Sequence, residues 1–185
     1  MDEAGRGCLA GRVYAAAVIL KSDQDIERYA DSKTLSESRR EELFNSIQKH
    51  HHFGIGFATP EEIDRMNILA ASMLAMRRAI GELGVQTGTV LVDGHLAIRN
   101  LEGFRQIPLV KGDQRATPIA AASIMAKVAR DRYIVEQSEL FPGYGFEKHK
   151  GYPTLEHKKS IENLGPTNIH RLTFAGVREF ARSSL

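Results

Sequence analysis

The sequence has little of several features that define whole classes of protein. It contains one cysteine, Cys8, and no tryptophan, so an internal disulfide and a zinc site built from paired cysteines are both excluded. No apolar run approaches the roughly 18 to 20 residues that a membrane span needs, and no repeats or low-complexity segments occur. Nothing at the start has the pattern of a secretory leader. We therefore expect a cytoplasmic protein.

A strong excess of charge of one sign is also lacking. There are 25 Lys and Arg against 23 Asp and Glu, a net charge of +2, which is far from the composition of a dedicated nucleic-acid binder. Basic residues are concentrated in 99–132 and 145–185, a modest bias that can neutralise a few phosphates. The length of 185 residues suits one core. We expect a single domain over 1–185, with a helical part from about residue 154, acting as a monomer.

Segments with strand and helix patterns alternate along the chain. Strands are predicted at 11–20, 52–58, 89–92 and 106–110. Helices are predicted after a Ser36 cap at 36–49, from 59 to 83 with a kink near Asn67, and at 118–140, 154–163 and 173–182. This alternation predicts a layered α/β fold. The order of the strands in the sheet stays open.

Acidic residues lie beside glycine or at the ends of these strands. The Asp2-Glu3 pair precedes Gly5, Asp93 follows the run TVLV, and Asp113 follows PLVKG. Carboxylates that converge from different strands provide hard oxygen ligands suited to Mg²⁺ or Mn²⁺. A single acid at such a position is more commonly a turn former or a helix cap. With three such sites in one short domain, both interpretations remain open at this point.

Two glycine-containing segments suggest contact with a phosphate or a sugar. The run GRGCLA at 5–10 matches G-x-G-x-x-A, but a dinucleotide site needs a complete strand before this motif and a helix after it, and here a strand pattern follows. Glycines flanking an arginine can instead bring backbone amides close to a phosphate. In 143–154 basic and aromatic residues alternate, which is typical of a nucleic-acid contact. A plain surface loop is an equally good interpretation.

As a set, six ordered motifs resemble the type 2 ribonuclease H family, ribonuclease HII. They are DEAGRG at 2–7, DSK at 31–33, LVDG at 91–94, KGD at 111–113, AAASIMAKV at 120–128 and HKGY at 149–152, with IHRLTF at 169–174. The resemblance implies an RNase H-like fold, a mixed central sheet flanked by helices. It also implies an endonuclease that hydrolyses the RNA strand of RNA/DNA hybrids and nicks 5′ of ribonucleotides embedded in duplex DNA, giving 5′-phosphate and 3′-hydroxyl ends.

The same resemblance implies roles for individual residues. The catalytic, metal-binding carboxylates are Asp2, Glu3, Asp93 and Asp113; the substrate-binding residues are Gly5, Arg6, Gly7, Lys33 and Tyr152, with Lys33 on a phosphate. Two Mg²⁺ or Mn²⁺ ions about 3.5 to 4 Å apart can activate a water, hold the scissile phosphate and stabilise the leaving oxygen. The 2′-hydroxyl distinguishes RNA from DNA, and the hydroxyl of Tyr152 or backbone amides of 5–7 can detect it.

Some assignments stay open. Asp131 competes with Asp113 as the fourth carboxylate, but it follows Lys127 by four residues in a predicted helix, where an ion pair is the simpler explanation, so we prefer Asp113. His149 could act as a proton shuttle, but a histidine in a basic loop more commonly contacts a phosphate or is exposed, and we assign it no role. Cys8 is expected to be a small packing residue.

Two other functions are also compatible with the residues. One is a non-enzymatic nucleic-acid-binding module with structural acids, and the other is a related nuclease that acts on DNA and does not need Tyr152. Family members usually have several apolar residues before the acidic pair, whereas here only Met1 precedes Asp2. We therefore expect Asp2 and Glu3 to be held loosely, with a protonated amino group beside the metals.

Overall fold

The computed structural model describes residues 1–21, 29 and 35–181. In these residues five strands and six helices follow one another: β1 (Asp2–Ala4), β2 (Val13–Ile19), α1 (Glu37–His50), β3 (His52–Ala58), α2 (Pro60–Met66), α3 (Ile68–Glu82), β4 (Gly88–Asp93), β5 (Phe104–Leu109), α4 (Thr117–Leu140), α5 (Phe146–His149) and α6 (Leu155–Leu164). A 3-10 turn, Gly112–Gln114, precedes α4. None of the helices in the described part is long and apolar enough to cross a membrane.

The strands form a mixed sheet in which β1 is central. β1 pairs antiparallel with β2, and β2 pairs antiparallel with β3, while β4 and β5 pair in parallel. Two main-chain bonds join the three strands β1 to β3 to the pair of β4 and β5. The Met1 amino group donates to the Leu91 carbonyl at 2.6 Å, and the Asp93 N–H donates to the Met1 carbonyl at 3.0 Å. This pattern makes β1 parallel to β4. The predicted mixed sheet flanked by helices is confirmed.

Helices cover both faces of β2, which explains its apolar sequence. Successive side chains of a strand point to opposite faces, and here Ala15 and Ala17 pack in the core cluster that contains α3 residues. Ala16 and Val18 pack in a second cluster with the alanine-rich first half of α4. The small side chains of β2 and α4 let the helix backbone lie close to the sheet.

Local signals in the sequence set most helix boundaries as predicted. The Ser36 hydroxyl accepts a hydrogen bond from the Arg39 N–H and begins α1. Thr59 and Glu62 form a capping box at the start of α2, which satisfies free N–H groups at both positions. Asn67, at φ 72°, ends α2 and caps α3, so the predicted kink is a break between two helices.

The predicted helix at 173–182 is wrong. Residues 173–180 form a series of turns instead. Gly176 has φ +90°, a left-handed conformation that a right-handed helix cannot contain. The Gly176 N–H donates to the Glu179 carboxylate rather than to a helical carbonyl. These turns place Val177 in a third apolar cluster with Leu9, Phe146 and Ile169.

We expect the contact between β3 and α3 to be intolerant of any side chain at Gly56. A methyl group there would lie 2.3 Å from the Ala75 carbonyl oxygen and 2.5 Å from the Ala79 nitrogen. Overpacking of this kind costs about 1 to 3 kcal/mol, so Gly56→Ala should lower the free energy of unfolding by that amount in urea titrations.

The matched control is Gly81→Ala, at a glycine of α3 where an added methyl group meets no atom within 4 Å. Alanine is favoured over glycine in a helix by up to about 1 kcal/mol, so this variant should be equally stable or more stable. Equal destabilisation by both substitutions would contradict the close approach of β3 and α3.

Candidate active site

A cleft of about 380 Å³ lies at the edge of the sheet where β1 and β4 end. Because these strands are parallel, their carboxyl ends reach the same edge, where ligands bind in α/β folds. The described residues that line the cleft are Asp2, Glu3, Ala4, Gly5, Arg40, Asp93, Ser123, Lys127 and Tyr152. The structure therefore brings five of the predicted site residues together.

Asp2 and Glu3 are oriented by neighbouring donors. One Asp2 oxygen accepts the Glu3 N–H at 2.7 Å, and the Ser123 hydroxyl also bonds to this carboxylate. Burial, with Glu3 and Asp93 close by, raises the pKa of Asp2 to about 7. Burial also raises the pKa of Glu3, although the Arg6 guanidinium donates to its carboxylate at 3.0 Å and opposes this effect.

Asp93 is oriented by the turn that carries Asp113. The Gly112 N–H donates to Asp93 Oδ1 at 2.7 Å. A Cβ at position 112 would lie 2.5 Å from Ile119 Cδ1 and 3.2 Å from this oxygen, so a side chain here would require Ile119 to move. Asp113 follows directly and is buried. The cleft-lining residues named above do not include Asp113, so the structure brings it near Asp93 but not onto the cleft wall.

The carboxylates suit a hard divalent cation. Within residues 1–21, 29 and 35–181, no three His, Cys, Asp or Glu side chains are arranged to hold an ion as they stand. The raised pKa of Asp2 shows that negative charge is unfavourable here, and a divalent cation would relieve this. Carboxylate oxygens are the ligands that Mg²⁺ and Mn²⁺ prefer.

Two cationic side chains also line the cleft, and the sequence analysis gave neither of them a role. These are Arg40 of α1 and Lys127 of α4. Ser123 and Lys127 are four residues apart and so share one face of α4, a signal that could have placed both at the site. Lys127 Nζ lies 2.9 Å from Asp131 Oδ2. The ion-paired interpretation of Asp131 is therefore confirmed.

The predicted substrate-binding residues lie in or beside the cleft, with one outside the described residues. Tyr152 lines it with 40% of its surface exposed, and Gly5 lines it at φ +94°, with Arg130 Nε 2.3 Å from where a Cβ would be. Arg6 lines an adjoining pocket with Glu3 and Asp93, and Gly7 is exposed. The predicted phosphate contact, Lys33, lies outside the described residues.

Two expectations about neighbouring residues have clear outcomes. Cys8 is fully buried, as a packing residue should be. Asp2 and Glu3 are not loosely held, because β1 is hydrogen-bonded to strands on both sides. The Met1 amino group is buried against the Leu91 carbonyl, and this burial lowers its pKa to about 6.

A family model for ribonuclease HII matches residues 1–177. The chain belongs to the ribonuclease HII family. The ribonuclease HII of Marinomonas sp. strain MWYL1 is 55% identical over 179 residues, covering 96% of this chain and 89% of the relative. That of Pseudothermotoga lettingae is 50% identical over 177 residues, covering 96% and 76%. A solved complex of ribonuclease HII with PCNA from Archaeoglobus fulgidus matches with a TM-score of 0.81 at 28% identity, covering 100% of this chain and 96% of that one.

Membership of the ribonuclease HII family decides between the functions that the residues left open. The chain is a metal-dependent endoribonuclease that cleaves RNA in RNA/DNA hybrids and at embedded ribonucleotides. A non-catalytic binding module and a nuclease specific for DNA are therefore both wrong. The RNase H-like fold is confirmed by the solved structure.

The sequence analysis assigned His149 no role, and the structure excludes one of its alternatives, an exposed side chain. It neither lies exposed nor faces the cleft: it is buried, its Nε2 donates to the Tyr144 carbonyl at 2.8 Å, and its Nδ1 accepts the Gly151 N–H at 3.1 Å. Its ring stacks on His157, with 4.4 Å between centroids, and His157 in turn bonds to His170. Three histidines thus form a buried cluster behind the loop that carries Tyr152.

We expect this cluster to make the protein less stable in mild acid. Burial lowers the pKa of His157 to about 4 and that of His170 to about 3. In the unfolded chain both titrate near pH 6.5, so below about pH 6.5 the unfolded state binds more protons and is stabilised relative to the folded state. The histidines should lower the free energy of unfolding as the pH falls, against an opposing effect of Asp2, whose pKa is raised to about 7. The measurement is urea unfolding at several values from about pH 7.5 to about pH 4.5.

The double variant His157→Gln/His170→Gln lacks both titrating groups and should lose less stability than the wild type over the same pH interval. His52, which is exposed, provides the control, and His52→Gln should retain the wild-type slope. An unchanged slope in the double variant would show that the two buried histidines do not contribute.

Proposed function

We propose that the cleft hydrolyses the phosphodiester bond on the 5′ side of a ribonucleotide, in duplex DNA and in RNA/DNA hybrids, leaving 5′-phosphate and 3′-hydroxyl ends. The observation that carries this proposal is that three acidic side chains and Tyr152 line one cleft. The acids can hold metal, and the tyrosine can contact the sugar beside it. No protein nucleophile is needed.

Metal ligands in this proposal are Asp2, Glu3 and Asp93, with Asp113 as the fourth. Bound Mg²⁺ or Mn²⁺ ions, two in our proposal, would supply an activated water and stabilise the leaving 3′-oxygen. The donors that hold the carboxylates keep them facing the cleft. Arg6 bonds to one oxygen of Glu3, Oε1, and the other oxygen can bind an ion. The Arg6 guanidinium lines an adjoining pocket, where a phosphate can accept from it.

Arg40 and Lys127 support binding of the substrate backbone. Both line the cleft, and cations placed there neutralise phosphates and release their counterions. Lys127 is held in place by Asp131, and its Nζ lies 5.3 Å from the centroid of the Tyr152 ring. A cation therefore lies close to the tyrosine in the cleft that the acids also line. We also propose a phosphate contact for Lys33.

Sugar recognition is proposed for Tyr152 and the 5–7 loop. The tyrosine hydroxyl can bond to a 2′-hydroxyl, which is the group that separates RNA from DNA. The backbone of Gly5, Arg6 and Gly7 can approach a sugar closely because neither glycine carries a Cβ. All these residues come from one chain, so we propose that a monomer with one catalytic domain is active. The substrates place this activity in the cytoplasm, where bacterial DNA is found.

Asp93→Asn should reduce metal-dependent nicking by more than about a hundredfold, because the metal contributes several kcal/mol of transition-state stabilisation. The assay uses a labelled DNA duplex with one ribonucleotide, with Mg²⁺, with Mn²⁺ and with a chelator. Asp113→Asn should have a similar effect if it is the fourth ligand. The thermal midpoint of each variant shows that it is folded.

The matched control is Asp131→Asn, because Asp131 is an acid of α4 that is paired with Lys127 and Arg130. Because Asp131 holds Lys127, this variant can raise KM, but it should keep the wild-type metal-dependent kcat and nick at the same position. Nicking by Asp93→Asn at the wild-type rate would show that Asp93 is not a metal ligand. Loss of nicking in Asp131→Asn but not in Asp113→Asn would show that Asp131, and not Asp113, is the fourth carboxylate.

Tyr152→Phe should lower kcat/KM at a single ribonucleotide by about tenfold, since it removes a hydrogen bond but keeps the ring. The ring still packs beside Arg130, whose guanidinium carbon lies 5.4 Å from its centroid. Tyr133→Phe, outside the cleft, is the control and should retain wild-type kinetics. Unchanged kcat/KM in Tyr152→Phe would exclude the tyrosine hydroxyl from recognition of the ribose.

A further inference from the structure

The Arg171 guanidinium holds the segment that contains Gly5 and Arg6. Arg171 is fully buried, and its contacts are main-chain carbonyl oxygens: Nη2 donates to Gly5 at 2.7 Å, Nη1 to Arg6 at 2.9 Å and Nε to Gly11 at 3.0 Å. Burial lowers its pKa to about 10, so the side chain stays charged at neutral pH. A planar group with donors in fixed directions sets the positions of all three carbonyls at once.

Main-chain bonds join residues 9–11, which follow this segment, to the loop that carries Tyr152 and to residues 169–171. The Leu9 N–H donates to the Gly151 carbonyl at 2.8 Å, and the Arg171 N–H donates to the Leu9 carbonyl at 2.9 Å. The Gly11 N–H donates to the Ile169 carbonyl at 2.7 Å. Residues 9–11 therefore lie between the loop on one side and 169–171 on the other.

A chain of two histidines reaches Tyr152 from the residue next to Arg171. The Thr167 N–H donates to His170 Nδ1 at 2.9 Å, so the proton of His170 is on Nε2 and faces His157 Nε2 at 3.1 Å. His157 accepts there and carries its own proton on Nδ1, which donates to the Tyr152 carbonyl at 2.9 Å. The main-chain groups at the two ends assign both tautomers.

We propose that His170 and Arg171 are positioning residues that hold Tyr152 and the 5–7 loop in one fixed arrangement, so that both contact the same ribose. This inference rests on the proposed function. Both side chains are buried, with exposures of 1% and 0%, and act only through the groups they bond to. His170 thus supports Tyr152, and the adjacent Arg171 supports the 5–7 loop.

Such support matters because recognition of one hydroxyl is sensitive to small displacements. A productive contact needs its groups placed within about 0.5 Å, and a misplacement of about 1 Å can cost a hundredfold in rate. A glycine loop has many accessible conformations, and Tyr152 is on an exposed loop. The Tyr152 loop has main-chain bonds of its own, such as that of the Tyr152 N–H to the His149 carbonyl at 2.9 Å. What the 169–171 segment adds is a connection between this loop and the 5–7 loop.

The decisive comparison is between two substitutions of His170. In His170→Gln the side-chain amide reaches the Nε2 position and can still donate to His157, whereas in His170→Asn it reaches only the Nδ1 position and leaves His157 without its donor. We expect kcat/KM at a single ribonucleotide to fall about tenfold in His170→Asn, mainly through KM. His170→Gln should stay near the wild type.

If His170 had only a structural role, the substitutions would lower the thermal midpoint and the active fraction. KM would then be unchanged and equal in the two variants. Mn²⁺ affinity, measured by titration calorimetry, should be the same in the wild type and both variants because the carboxylates do not contact His170. Equal kinetics of His170→Asn and the wild type, in folded proteins, would overturn the inference.

A double-mutant cycle separates failure of the inference from failure of the proposed function. If His170 acts through Tyr152, His170→Asn should have little further effect on KM when combined with Tyr152→Phe, since coupled residues are not additive. No effect of Tyr152→Phe alone would refute the proposed role of the tyrosine. An effect of Tyr152→Phe that adds fully to that of His170→Asn would refute the positioning role instead.

Arg171→Lys tests the other half of the network. A lysine keeps the charge but cannot bond to three carbonyls in fixed directions, so hydrogen exchange of residues 5–11 should become at least about tenfold faster while that of α3 stays the same. If this variant does not fold, the His170 comparison still decides the inference. Unchanged exchange at 5–11 would show that the guanidinium does not hold the loop.

Discussion

Pairing of β1 on both sides is the constraint on which the rest of the site depends. This strand is three residues long, and its bonds to β2 and β4 bring Asp2 and Glu3 to the same edge as Asp93, some 90 positions away in the chain. The helices that cover β2 exclude water from the same region, so the acids are both close together and largely buried. Fold and site are therefore one arrangement: a change in the β1 pairing would separate the carboxylates.

Bringing three carboxylates together costs stability when no cation is bound, and the surroundings of the cleft limit that cost. The pKa of Asp2 is raised mainly by burial and further by the neighbouring Glu3 and Asp93. Each acid has a donor: the Ser123 hydroxyl for Asp2, the Arg6 guanidinium for Glu3 and the Gly112 N–H for Asp93. These donors hold the oxygens toward the cleft, and a divalent ion can replace the most exposed of them. Preorganisation of this kind is what electrostatic catalysis requires.

Local features of the fold could be predicted from the sequence, because their causes lie within a few residues. The Ser36 and Thr59 caps and the break at Asn67 follow from short-range hydrogen bonding. Features that depend on distant packing could not be predicted. Arg40 reaches the cleft only because α1 packs on α4, and the resemblance to a known family, not the residue pattern, assigned the acids. His149 has the sequence surroundings of a surface loop but is buried by α6 and the 169–171 segment.

The buried arginine shows how polar groups can specify a loop conformation. Turning the Gly5, Arg6 and Gly11 carbonyls inward would leave three acceptors without water, and each unsatisfied buried group costs about 1 to 3 kcal/mol. Arg171 satisfies all three, and the carbonyls in turn compensate for burial of its charge. An apolar side chain of the same volume could fill this space but could not satisfy the carbonyls, so the loop would turn them back to solvent. The charge therefore selects one loop conformation, which is what a site for a single sugar hydroxyl needs.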